Sequence, residues 1–286
     1  MSDVIDSHTH VISSDPTRYP TAPLGGHQST WSRDRPVTHE ALVAAMDAAG
    51  VAKAVVVQAS TVYGHDNSYL VEAVKAHPDR FVGVYSVDVQ APDAVAKIAY
   101  WQDQGLFGFR LFTTGSTMPG QADWLGDEIT HPAWAHAEAN GIPVCLQMTI
   151  AGLPILEKIL ARFPKVRVLL DHLARPELAD GPPYADAAPL FAMAAYPGVH
   201  LKLTNRTLAA AAMGLSTPTA FVTKVVETFG ADRIAWGSNF PAAEGDLSAL
   251  LAEAKAGLAE LSAADQAMIF SGTAKRLYPG LAGASR

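Results

Sequence analysis

Short apolar runs rich in β-branched residues recur along the chain, separated by longer stretches whose apolar positions repeat at helical spacing. The runs predict strands over 4–12, 52–60, 80–88, 106–113, 142–149, 166–173, 199–205 and 233–240. The stretches between them predict helices over 39–49, 68–77, 93–104, 132–140, 153–163, 187–196, 218–229 and 247–261, and a last helix over 263–277 closes the chain. Gly50, Gly105, Gly141 and Gly230 each stand just past a helix, where a left-handed C-cap favours a residue without Cβ. Asp66 and Asn67 precede Ser68 as N-cap candidates. The runs AKAVVV, IPVCL and VRVLL are almost unbroken hydrophobes, as parallel strands covered on both faces require.

Strand–helix alternation repeated eight times predicts an α/β fold, a single-domain (β/α)8 TIM barrel over residues 1–286. A doubly wound open sheet is the alternative, because periodicity does not distinguish a closed sheet from an open one. The first crossover, 13–38, is long and holds Pro16, Pro20, Pro23 and Pro36; it reads as a lid loop over the active-site face. No internal repeat or linker divides the chain.

Composition narrows the classes. With 286 residues, 49% of them hydrophobic, the chain can bury a large core. A net charge of −7 speaks against a nucleic-acid partner. Cys145 is the only cysteine, so no intramolecular disulfide forms, and a reducing compartment fits. No secretory pattern opens the sequence, and no apolar run approaches the roughly 20 residues of a membrane helix. We therefore expect a soluble, cytoplasmic protein with no membrane partner. The apolar stretch 209–215 is a candidate homodimer contact, or equally a helix on the loop side.

In such a barrel, chemistry belongs to the C-terminal ends of the strands. The first strand ends in DSHTH, and strict alternation puts Asp6, His8 and His10 on one face, where two imidazoles can share a divalent cation. The plainer reading is two histidines bonded at a loop entrance. The sixth strand ends in LLDHLARP, where His172 is a third ligand, a general base, or a core histidine bonded to backbone. Arg110, Arg175 and Arg206 fall on the same rim, and a guanidinium fork matches a carboxylate. Together they favour a small anionic substrate over simple surface salt bridges. Ser60 and Tyr63 offer hydroxyls after the second strand, and Gln147 is a polar residue in an apolar run. Lys202 faces either the pocket or the helix layer. A cysteine-hydrolase reading of Cys145 has no local signature to support it.

The segments IDSHTHV, VVVQASTVYGHDN, HPDRFVGVYSVD, GFRLF, LLDHLARP, RIAWGSNFP and KRLYPGL, spread over almost the whole chain, resemble the amidohydrolase superfamily, specifically its lactonase branch. The resemblance implies a (β/α)8 barrel with His8, His10 and His172 at the site, and Arg110, Arg175 and Arg206 as grips for substrate carboxylates. It implies a divalent metal (zinc or manganese), although some members of the branch are thought to work without one. Two positions depart from the pattern. Asn239 stands where an aspartate usually activates water, and Gln147 stands where a stronger ligand is usual. An amide is no general base near neutral pH, but it can orient a water or donate to an oxyanion. Asn239 is then native to the mechanism, an engineered block, or the mark of a barrel that binds without catalysis.

The leading expectation is a hydrolase that opens a carboxylate-bearing lactone or related cyclic ester by water attack at the carbonyl. In it His8, His10, His172 and Asn239 are the catalytic candidates. A metal-dependent decarboxylase of an aromatic or muconate-type acid is the alternative, and a non-catalytic binder of small carboxylates is a third.

Overall fold

In the computed structural model, which describes residues 3–118 and 120–282, all eight expected strands form. They are β1 (Val4–Thr9), β2 (Val51–Val57), β3 (Phe81–Ser86), β4 (Phe109–Phe112), β5 (Val144–Gln147), β6 (Val168–Asp171), β7 (Val199–Thr204) and β8 (Ile234–Gly237). Each is parallel to the next, in sequence order. The barrel closes where β1 meets the end of β8, through a parallel bridge between Thr9 and Phe240. His10 N–H donates to the Phe240 carbonyl at 2.9 Å, and Asn239 N–H donates to the His8 carbonyl at 2.8 Å. The open-sheet alternative is set aside by this seam.

Burial explains the strands. Ala54 and Val56 face the helices while Val55 and Val57 face the barrel interior, so every position of β2 from Ala54 to Val57 is apolar and buried. At the bottom of the barrel Ile5, Val55, Val57, Val82, Val84, Cys145 and Leu169 pack with Ala274, Leu277, Tyr278 and Leu281 of the C-terminal segment. That apolar plug stabilises the fold by roughly 2 kcal/mol per fully buried large side chain. The expected last helix over 263–277 forms without a break, α-helical over Ala263–Ala267 and Thr273–Leu277 with a π-helical turn, Met268–Gly272, between them.

Most helices keep the expected bounds, as in His39–Ala49, Ser68–Ala76 and Pro218–Phe229. The Thr38 and Thr217 hydroxyls cap His39–Ala49 and Pro218–Phe229, and Gly50 and Gly141 end His39–Ala49 and His131–Asn140 in the left-handed conformation. Asp66 accepts from Ser68 N–H, whereas Asn67 is buried and ties the strand after it, accepting from Ser86 N–H and donating to the Ser86 carbonyl. Short helices that periodicity did not reveal appear at Thr30–Asp34, Ser60–Tyr63 and Asn205–Ala211. The segment 13–38 lies across the end of β2: Ala22 N–H donates to the Val62 carbonyl and Leu24 N–H to the Ser60 carbonyl. No helix among the described residues is long and apolar enough to cross a membrane.

Candidate active site

The strand ends surround a cavity of about 240 Å³. His10, Ser60, Arg110, Gln147, His172, Arg175, Arg206 and Asn239 all line it. Two residues expected at the site do not. His8 is fully buried one layer below, its ring 5.0 Å from that of His10 and 5.2 Å from that of His172. Tyr63 turns away and accepts a hydrogen bond from Ser13 N–H at 2.8 Å, pinning the start of the long first crossover.

The pairing register of β1 with β2 shifts between Asp6 and Thr9. Asp6 is drawn into the seam, its Oδ1 accepting from His8 N–H and Ser238 N–H. Burial lifts its carboxyl to about 6, against the pull of those hydrogen bonds. Gly237 serves the same seam by size. A Cβ there would lie 2.6 Å from His8 Cβ, so only glycine lets β8 approach.

Beneath the cavity lies an ionic floor. Asp171, fully buried, pairs with Lys202 Nζ at 3.1 Å and accepts from Arg110 Nε at 2.7 Å. Register places it there, because Asp171 of β6 stands opposite Lys202 of β7. Burial opposes its ionisation, but the charges of Lys202 and Arg110 outweigh that and hold the carboxyl well below its usual range. Lys202 Nζ also lies 3.5 Å from His8 Nδ1 and donates to Cys145 Sγ at 3.2 Å. Arg110 Nη2 donates to Gln147 Oε1 at 2.8 Å, which fixes both side chains.

The walls carry imidazoles that are neutral. Burial, reinforced by Arg110, depresses His10 to about 3. Burial likewise holds His8 and His172 well below the ordinary histidine value, despite Asp171 nearby. His10 Nδ1 lies 2.7 Å from the Val57 carbonyl. A carbonyl only accepts, so the proton sits on Nδ1 and the Nε2 lone pair is left available. His172 Nδ1 is 2.7 Å from Thr204 Oγ1.

The backbone is bent to present these groups. His172, Leu173, Ala174 and Arg175 all have φ between 53° and 55°, a left-handed turn closed by Arg175 N–H donating to the His172 carbonyl. Such residues cost about 1–2 kcal/mol each when they are not glycine. The turn carries both His172 and Arg175 into the cavity wall. Asn239 is left-handed too, at φ 61°, a conformation that asparagine and aspartate tolerate better than other side chains. Arg175 Nε is buried without a partner, and burial with the neighbouring Arg206 and Arg110 lowers its guanidinium to about 10.

Residues 5–280 match the amidohydrolase family model. The chain belongs to the amidohydrolase family. It is 30% identical over 237 residues, 80% of either chain, to an L-fucono-1,5-lactonase of Burkholderia ambifaria. It is 26% identical over 251 residues to a 2-pyrone-4,6-dicarboxylate hydrolase of Comamonas testosteroni, covering 83% of this chain and 76% of that one. An amidohydrolase of Burkholderia multivorans solved with bound zinc shares the fold at a TM-score of 0.77 and 24% identity, covering 97% of this chain and 99% of that one.

The metal common in amidohydrolases can be tested against the donors present. Among the described residues no three His, Cys, Asp or Glu side chains converge where a cation could sit. The one carboxylate in the floor is committed to Lys202 and Arg110, and Gln147 and Asn239 are neutral amides. This amidohydrolase site is dominated by fixed cations, which repel a divalent ion. The residues do not fit zinc or manganese.

Trp31, Thr61, Phe112 and Ser116 also line the cavity and had no signal in the sequence. Trp31 sits on the short helix in the first crossover, its ring 5.3 Å from that of His10. Its contact folds the crossover back onto the strand end it leaves, which no local pattern records.

Proposed function

We propose that this amidohydrolase is a metal-independent lactonase for rings that carry a carboxylate. The observation that carries this is the charge balance of the cavity. Arg110 is already paired with Asp171, while Arg175 and Arg206 have no anionic partner among the described residues. A substrate carboxylate gives them one. Of the two relatives, the one named for a dicarboxylated ring matches this chemistry better than the one named for a neutral sugar lactone.

Once a substrate carboxylate offsets the arginine charge that helps depress it, the available Nε2 of His10 takes a proton from water as the water oxygen bonds to the lactone carbonyl carbon. The Asn239 amide and the Arg110 guanidinium donate to the oxyanion that forms. When the tetrahedral centre collapses, the bond to the ring oxygen breaks and that oxygen receives the proton held on His10. One water is consumed and a hydroxy acid is released. His172 and Arg175, held on one rigid turn, orient the ring by its carboxylate.

A pH-indicator assay on matched lactones with and without a ring carboxylate tests this. We expect turnover of the carboxylated ring, with Arg175→Ala raising KM about tenfold or more, in line with loss of a charge-assisted pair. Turnover confined to neutral sugar lactones, indifferent to Arg175→Ala, overturns the substrate class. Carbon dioxide release from an aromatic acid with no lactone opened assigns the protein to decarboxylation instead.

A further inference from the structure

A second cavity of about 210 Å³ lies beside the first on the same face of the barrel. His65, Asp88, Gln90, Met118 and Trp124 line it, and Phe112 lines both cavities. The chemistry of the two differs. The first is ringed by guanidinium groups; in the second the carboxylate of Asp88 is the charged side chain, beside the indole of Trp124. A second carboxylate is disfavoured there, whereas a neutral hydroxyl-bearing or apolar substituent fits.

Phe112 is held as the wall between them. The tip of its ring abuts Gly115, where a Cβ would sit 2.6 Å from Phe112 Cε1 and closer still to Cζ. Glycine at 115 is therefore required for the ring to lie where it does. Arg110 also steadies the ring, its Cζ 5.4 Å from the ring centroid. The loop carrying Gly115 is latched to the first crossover by Thr117 Oγ1, which donates to the Leu24 carbonyl at 2.8 Å.

We propose that Phe112 sets the size of ring this site accepts, by walling off a neighbouring cavity that would otherwise take a bulky neutral substituent. This rests on the lactonase reading. The native enzyme then prefers a compact carboxylated lactone, and opening the wall extends the pocket in the direction of Asp88 and Trp124.

The test compares the native chain, Phe112→Ala and Gly115→Ala on a compact carboxylated lactone and on the same ring bearing a neutral hydroxyalkyl group. In Phe112→Ala we expect the ratio of kcat/KM, bulky over compact, to rise about tenfold or more, mainly through KM. Gly115→Ala, which forces the ring off its seat, shifts the ratio the same way. An unchanged ratio in both soluble variants overturns the proposal. Calorimetric binding of the ring-opened hydroxy acids, compact and bulky, reads the same size ratio without turnover. If the native chain opens neither lactone yet the binding ratio still shifts, the lactonase reading fails and the size wall stands.

Discussion

The two ends of the barrel interior are built from the same alternation and do opposite things. At the bottom, Ile5, Val55, Val57, Val82, Val84 and Leu169 meet Leu277, Tyr278 and Leu281 in a closed apolar plug. At the top, His10, His172 and three arginines face a cavity, and the Asp171 carboxylate beneath them is shared between two cations. Lys202 stands at the boundary, touching Cys145 of the plug and Asp171 of the floor. Stability is concentrated where every neighbour is apolar. The ability to bind an anion is concentrated where fixed charge is left over, and that surplus costs stability until a ligand offsets it.

The sharpest way to break this contrast is Asp171→Asn, which leaves Lys202 and Arg110 buried without a counter-charge. We expect a loss of about 3–5 kcal/mol in urea unfolding, the cost of breaking a buried pair. A loss under about 1 kcal/mol shows that the floor is solvated. Leu277→Ala acts on the plug alone. It should cost about 2–4 kcal/mol in the same experiment and leave KM unchanged, since Leu277 is buried far from the cavity lining. A shifted KM means the two ends are coupled.

Acid should separate the two ends next. His10 titrates near 3 in the folded state against an ordinary 6.5, and His8 and His172 are depressed in the same direction. Below pH 6.5 the unfolded chain takes up protons that the fold withholds, so stability falls as pH falls. Asp6 works the other way, because the fold binds its proton near 6 and the unfolded chain near 3.8. The depressed imidazoles, with His65, His77 and His200 lowered as well, outnumber that one carboxyl, so the net slope between about pH 6 and 4 is a loss of stability on acidification. Urea midpoints measured across that range check the slope, and a flat profile means the imidazoles are charged in the fold. The smallest effect is expected from Asn239→Asp. The left-handed backbone accepts either residue, so the fold is retained. With His10 as the base, kcat changes less than about threefold while KM for the carboxylated lactone rises by like-charge repulsion. A gain of about a hundredfold in kcat instead assigns Asn239 as a block on the reaction.

Much of this architecture is legible from residue order. Strands buried on both faces must be almost wholly apolar, which is why AKAVVV, IPVCL and VRVLL reveal β2, β5 and β6 without ambiguity. The rim residues follow once the strand ends are known, so His10, His172, Asn239 and the three arginines are found together. Short helices such as Ser60–Tyr63 escape because four residues carry no period.

What the sequence by itself determined is the set of parts: eight strands alternating with helices, the ends that bear chemistry, and a rim rich in histidine and arginine. Local patterns suffice for these because strand burial and helix periodicity are properties of neighbours in the chain. Only the tertiary structure decided which part does what. Depth along β1 leaves His8 buried below the cavity and His10 in its wall. The pairing of β6 with β7 sets Asp171 against Lys202, and the Val57 carbonyl selects the His10 tautomer. A left-handed turn aims Arg175. Charge pairing and proton position depend on groups a few ångströms apart in space but as many as 194 residues apart in sequence, as for His8 and Lys202, so no window along the chain contains them.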